Sequence, residues 1–395
     1  MDLKKRLASL DRMTRKTMVP PPDPKRIPTQ KLACEVLGLT PEETPGGTIY
    51  LRHYADPIPE PDNCLPDLYG FLSQPGPDTL GAGDVLFLDT ETTGLAGGTG
   101  TIAFLVGASW WESGRFHTRQ YFLCGPGQES AMLKDLHLLA ERFKAVATYN
   151  GASFDLPLLR TRALLNRLEH PWDKMFSWDL LVPSRRLWSR RLENCRQQTV
   201  EAEFCALHRD ARVFPGALSP QTWFDFLQQG KCEDLRRVLY HNQRDMVGMA
   251  HIFRKMVAMA QIMMDEQSRP VPGWLDAWAL GRIAEIRGDG PLSLFWFNLA
   301  RLAAAPVPGA FADSRFVADA VRVLKRSGDW QVVENLIACA LDCGQNEPWL
   351  HREAAILYEH RLVDLARAHR HALAAGDEHR LNRLVRKLKQ QNDLE

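Results

Sequence analysis

DVLFLDTETTG, residues 84–94, runs an unbroken apolar stretch into an acidic turn. A short apolar run bounded by turn residues predicts a buried strand, with both faces inside a sheet. Residues two apart in an extended strand point to the same side, so Asp89 and Glu91 present two carboxylates to one point. Like charges held that close repel unless cations lie between them. The Thr/Gly turn that follows allows backbone to approach a ligand closely.

Working outward, TIAFLVGASWW (101–111) predicts a second strand, RFHTRQYFL (115–123) a third, and ESGR a hairpin turn between them. GQESAMLKDLHLLAERFK repeats Leu and Met at helical spacing, AVATYNG returns as a short strand, and FDLPLLRTRALLNR is again helical. Three consecutive strands, then helix, strand, helix, resembles the order of a ribonuclease H-like α/β domain. CEDLRRVLYHNQRDMVGMAHIFRKMVAMAQIM closes it as one long helix, giving an expected domain of residues 83–266.

Residues 1–82 are basic and proline-rich, with VPPPDP and PIPEPDNCLP around the strand-like GTIYLRHY, and are expected to be a loosely structured, partly ordered lead-in. After SRPVPG the strands stop. Six short amphipathic segments between 274 and 376, each closed by Gly or Pro punctuation, predict an all-α domain over 272–395. Their spacing resembles a tetratricopeptide-type (TPR-like) array, with a plain helical bundle as the alternative.

The bulk numbers set bounds. The chain has 395 residues and 45% apolar composition, enough for two or three packed domains. MDLKKRLASLDRM lacks an apolar leader core and no segment has the roughly 18 apolar residues of a membrane span, so a cytoplasmic, non-membrane protein is expected. Eight irregularly spaced cysteines form no zinc pattern, and Cys339 and Cys343 are expected in a helical core. Lys plus Arg (49) balances Asp plus Glu (48), so net charge announces no nucleic-acid partner. The basic residues nevertheless cluster, at Lys4 to Arg26 and again at Arg185, Arg186, Arg190, Arg191 and Arg196.

Two further motifs follow the first. YNGASFDLPLL (149–159) places Asp155 at a helix start, and YHNQRDMVGM (240–249) places His241 and Asp245 four apart on one helix face. Each alone has an ordinary structural explanation; their order on strand, helix start and closing helix does not.

DTETTG, NGASFD and HNQRD resemble the three motifs of the DEDD exonuclease superfamily. NGASFDLPLL, DLLVPSRRLWSRRLENCRQQTVE and HNQRDMVGM, with helical repeats following, resemble more narrowly the YprB (MrfB) family of bacterial ribonuclease H-like exonucleases. The resemblance implies that Asp89, Glu91, Asp155 and Asp245 bind two metal ions and that His241 is the general base. Oxygen ligands and a phosphate substrate suit Mg²⁺ or Mn²⁺, and imidazole, with an ordinary pKa of about 6.5, accepts a proton near neutrality. The His branch of the superfamily has its base five residues before the last Asp and the Tyr branch four, so Tyr240 stands as the alternative base. The resemblance also implies a terminal-nucleotide pocket at Thr90, Thr92, Gly94 and Leu95. Asn150 and Phe154 are candidates to hold or stack a strand end, and Arg185, Arg186, Trp188, Arg190 and Arg191 to contact backbone phosphates.

The expected activity is 3′-to-5′ exonucleolysis, of DNA in a repair context by analogy, beside a helicase or another protein docked on the helical domain. The alternatives are a structure-selective endonuclease, an RNA exonuclease using the same site, or a non-catalytic nucleic-acid-binding scaffold.

Overall fold

The computed structural model describes residues 27–61, 80–94, 99–209, 219–264 and 273–392. The basic residues Lys4 to Arg26 and Leu95 lie outside them. The chain divides into two compact units, one formed by the sheet and its helices, the other by residues 185–193 and the helices from 261 onward.

The first unit is built on a seven-stranded mixed sheet. Its strands are β1 (Thr40–Thr44), β2 (Gly47–Asp56), β3 (Val85–Thr92), β4 (Ala103–Glu112), β5 (Arg115–Phe122), β6 (Ala145–Thr148) and β7 (Phe176–Asp179), in the spatial order β1-β2-β5-β4-β3-β6-β7. β3, β4 and β5 are antiparallel, whereas β6 and β7 run parallel to β3. The β4–β5 hairpin turns at Ser113 and Gly114, both with positive φ (52° and 76°), the geometry a two-residue turn needs to match strand twist.

The strand-like GTIYLRHY is a strand, and residues 27–61 around it are more ordered than a loose lead-in. They form α1 (Thr29–Glu35) and the β1–β2 hairpin, and β2 pairs with β5 from Tyr50 to Asp56. Alternation in GTIYLRHY buries Ile49 and Leu51 in the same core as α1's Ala33, which anchors the segment. β7 (FSWD) alternates apolar and polar residues, but four residues are too short a run to stand out as a strand.

With the sheet go α2 (Glu129–Ala140), α3 (Asp155–Leu165), α5 (Gln197–Phe204), α6 (Ser219–Gln229) and α7 (Glu233–Met264), while α4 (Leu181–Trp188) begins in this unit and ends in the second. Phe87 of β3 meets Phe253 of α7 edge-on, with ring centroids 5.3 Å apart. Asp89 and Glu91 follow Phe87 at intervals of two, so the strand aims them at the α7 side of the sheet. On β4 and β5, Phe104 stacks on Trp223 of α6 and Phe122 meets Phe226.

The second unit is all-helical: α8 (Trp274–Ile286), α9 (Gly290–Ala304), α10 (Ser314–Leu324), α11 (Trp330–Asp342), α12 (Pro348–His360), α13 (Leu365–Ala374) and α14 (Glu378–Asn392). Asp289, Asp313, Asp329 and Asp364 cap four of these helices by accepting from backbone N–H groups one turn in. α14 lies beyond the six segments read as helices but within the stretch expected to be all-α. Its anchor is Glu359, whose carboxylate is 0% exposed and accepts from Arg383 and Lys387 at 2.7–2.9 Å and from Arg380. Cys343 is exposed and Cys339 only half-buried, because the apolar face of α11 is made by Val333, Leu336, Ile337 and Ala340. Among the described residues, no helix is long and apolar enough to cross a membrane.

Candidate metal centre

The C-terminal end of β3 lies where the chain leaves to β4 on one side and β6 takes the other, the switch point at which α/β sheets form crevices. Glu91, His241 and Asp245 each turn a donor atom here, and these atoms all lie within 4.8 Å of one another. Asp89 stands beside them. Asp155, at the first turn of α3, is reached by the Thr90 hydroxyl, which donates to its Oδ1. Asp155 therefore approaches through Thr90 and lies outside the three-residue donor group.

Burial and mutual repulsion dominate the electrostatics. Burial pushes the Asp89 carboxyl up to about 7, with the charge of Asp245 adding to it. Asp155 rises to about 7 by burial and then by the charge of Asp89. Asp245 rises to about 6 through burial, which outweighs the opposing charge of Arg209. Glu91, 8% exposed, is raised by burial and then by Asp89. Carboxylates so destabilised as anions are a site that cations would relieve.

His241 differs from the sequence-based expectation. Burial, and next the charge of Arg209, lower its pKa to about 4, so the ring is neutral near pH 7 and less basic than a free imidazole. Its Nε2 lies 3.2 Å from Asp245 Oδ2 and its Nδ1 3.3 Å from Arg209. Tyr240, the alternative base, is half-buried on α7.

Several positioning residues were missed in the sequence. Asn242 of α7 is fully buried and donates to Asp89 Oδ2 at 2.8 Å, while its Oδ1 accepts from Gln120 of β5 at 2.8 Å. This chain passes over Gly107 of β4, the residue paired with Asp89, where a Cβ would come within 2.7 Å of the Asn242 Oδ1. Asp179, at the end of β7, accepts from the backbone N–H of Asn150 at 2.7 Å and of Leu181 at 3.0 Å. That holds Asn150 at φ 67°, a left-handed conformation Asn tolerates. At the adjoining Gly151 a Cβ would fall 2.6 Å from Asp155 Oδ2, so the NG pair of the second motif sets the approach of α3.

A cavity of about 490 Å³ opens beside the centre, lined among others by Asp89, Asp155, Thr90, Thr92, Gly94, Asn150 and Phe154. Phe154 is 58% exposed, so its ring is on the surface and not in the core. The arginine cluster falls elsewhere. Arg185, Arg186 and Arg190 line a separate cavity of about 190 Å³ with Arg282, in the helical unit. There Arg190 lies 3.6 Å over the Trp278 ring, and Arg191 pairs with Asp276 at 3.1 Å. Trp188 is 1% exposed, which leaves no ring face for a base.

The RNase_H superfamily model matches residues 86–257. This stretch is a ribonuclease H-like domain. A protein described as "Uncharacterized protein YprB", from Bacillus subtilis (strain 168), is 33% identical over 188 residues, covering 47% of this chain and 44% of that protein. The chain thus spans less than half the length of the relative it matches. All five acidic and histidine positions of the centre lie within the ribonuclease H-like domain, as do Asn242, Gln120 and Asp179.

Proposed function

We propose that the protein is a divalent-metal-dependent 3′-to-5′ exonuclease of the DEDD type, acting on DNA. The observation that supports this best is the convergence of Glu91, His241 and Asp245 within 4.8 Å, flanked by Asp89 and Asp155. The donors are mainly carboxylate oxygens, which suits Mg²⁺ or Mn²⁺. Their raised pKa values fit a site completed by cations. Bound there, divalent cations supply Lewis acidity and neutralise the charge that develops on the phosphate.

The protein's own groups orient the reaction. Asn242 fixes Asp89, Thr90 fixes Asp155, and the cavity receives the terminal nucleotide with Phe154 available for stacking. A water oxygen bonds to phosphorus as the bond to the 3′ oxygen breaks. His241 takes the proton of the water, and the leaving oxygen takes one from solvent, giving a 5′-mononucleotide and a shortened strand with a 3′-hydroxyl. An exposed stacking ring beside the carboxylates favours a free end over an internal site.

The helical unit is, in this reading, a TPR-like region that docks a partner such as a helicase, and the arginine-lined cavity contacts backbone phosphates. The domain limits of this reading are 83–266 and 272–395, with residues 27–61 joining the first and residues 185–193 and 261–264 grouping with the second.

The test is digestion, with Mg²⁺ or Mn²⁺, of single-stranded DNA, duplex DNA and RNA labelled at each end, beside a closed circle. Mononucleotides released from the 3′ end of DNA are expected. Cleavage of the circle at a comparable rate would sink the exonuclease reading.

A further inference from the structure

Arg209 reaches the same centre from the chain beyond α5. Its Nε and Nη2 donate to Glu201 Oε2 and Oε1 at 2.8 and 2.7 Å, a two-point fork that fixes the guanidinium plane. Glu201 is 2% exposed and also accepts from Gln197 at 2.8 Å, whose amide donates to the Asp245 backbone carbonyl at 2.7 Å. The carboxylate can lie there only because residue 248 of α7 is glycine: a Cβ would sit 1.7 Å from Glu201 Oε1.

From this anchored position Arg209 Nη2 lies 2.5 Å from Asp245 Oδ1, and Nη1 lies 3.3 Å from His241 Nδ1. A guanidinium has donors only, so Nδ1 accepts. The proton of the neutral ring is then on Nε2, directed at Asp245 Oδ2 3.2 Å away. Both carboxylate oxygens of Asp245 are thus engaged by the chain's own donors.

We propose that Arg209 is an internal cation that competes with the divalent metal for Asp245. The proposal rests on the metal-dependent reading above. It makes Arg209 a positioning residue that sets a threshold: the centre becomes competent when enough divalent cation is present to displace the guanidinium from Oδ1, while Glu201 keeps the arginine anchored nearby. A merely structural arginine has the opposite signature, because losing a strut under Asp245 weakens metal binding.

Mn²⁺ binding to the full chain, followed by the electron paramagnetic resonance of the free ion, separates the two. Arg209→Met keeps the apolar stem and removes the charge; about tenfold tighter binding is expected, equivalent to about 1.4 kcal/mol. Unchanged or weaker binding by folded Arg209→Met overturns the proposal and leaves the metal centre standing. Should that variant fail to fold, Arg209→Gln decides, since its amide removes the charge and keeps a donor for Glu201. Tighter binding supports the competition, and unchanged or weaker binding overturns it. Absence of Mn²⁺ binding in the wild type and in both variants overturns the metal-dependent reading itself.

Discussion

Asn242 donates from Nδ2 to Asp89 Oδ2 at 2.8 Å, joining residues 153 apart in the chain across a gap that only Gly107 leaves open. The closing helix therefore orients a carboxylate of the first strand as well as bringing Asp245 to it. Gly107→Ala should push the Asn242 amide and the Met246 sulfur, 2.7–2.9 Å from the new Cβ, out of place. The expected cost is about 1–3 kcal/mol by urea unfolding, typical of overpacking, together with weakened Mn²⁺ binding. Asn242→Ala should weaken Mn²⁺ binding with the backbone undisturbed.

Proton linkage gives a second expectation. Asp89 and Asp155, raised to about 7, and Asp245, raised to about 6, hold protons that a cation must displace. Metal affinity should rise with pH through this window, and binding should release protons. Calorimetry in two buffers of different ionisation enthalpy reads the number released; the same heat in both would contradict it.

How far the centre was legible in the sequence follows from the range of its contacts. Strand β3 and helix α7 were readable because an apolar run and a long helical period are local signals. Asn242, Gln120 and Arg209 were not, since each acts on a residue far away in the chain, and Glu201 was not, since it acts through Arg209. Two glycines did hold a readable signal. Gly107 interrupts an apolar strand and Gly248 stands inside a helix, where glycine costs about 1 kcal/mol against alanine; both mark a buried side chain crossing bare backbone. Trp188 misled because a tryptophan among arginines looks like a binding surface, whereas its ring is buried.

The identity of the base is decided by single substitutions. His241→Ala should lower kcat by about 10²–10⁴-fold, the usual contribution of a general base, and Tyr240→Phe should retain most of it. Full turnover in His241→Ala with loss in Tyr240→Phe would reverse the assignment.

In the helical unit, burial pushes the Glu359 carboxyl up, but hydrogen bonds from Arg383 and Lys387 outweigh it and hold the group at about 2. A carboxyl whose folded pKa lies below its unfolded value of about 4.3 stabilises the fold above that value. The contribution fades as pH falls towards 2. Glu359→Gln should cost about 2 kcal/mol at pH 6, in the range of charged hydrogen bonds. The difference from the wild type should shrink at pH 3; a gap independent of pH would contradict it.

If the arginine-lined cavity contacts phosphates, Arg185→Ala and Arg282→Ala should weaken single-stranded DNA binding regardless of sequence. Each should also reduce the salt slope by about 1. An unchanged slope would place the DNA elsewhere.

The most direct measurement of the central proposal is phosphodiester cleavage by Asp89→Asn beside the wild type, in Mn²⁺ and in chelator. The wild type should cut only with the metal, and Asp89→Asn, which keeps the shape of the side chain and loses its charge, should fall by a factor on the order of 10³. Metal-dependent cleavage undiminished in Asp89→Asn would contradict the assignment of these carboxylates as the catalytic centre.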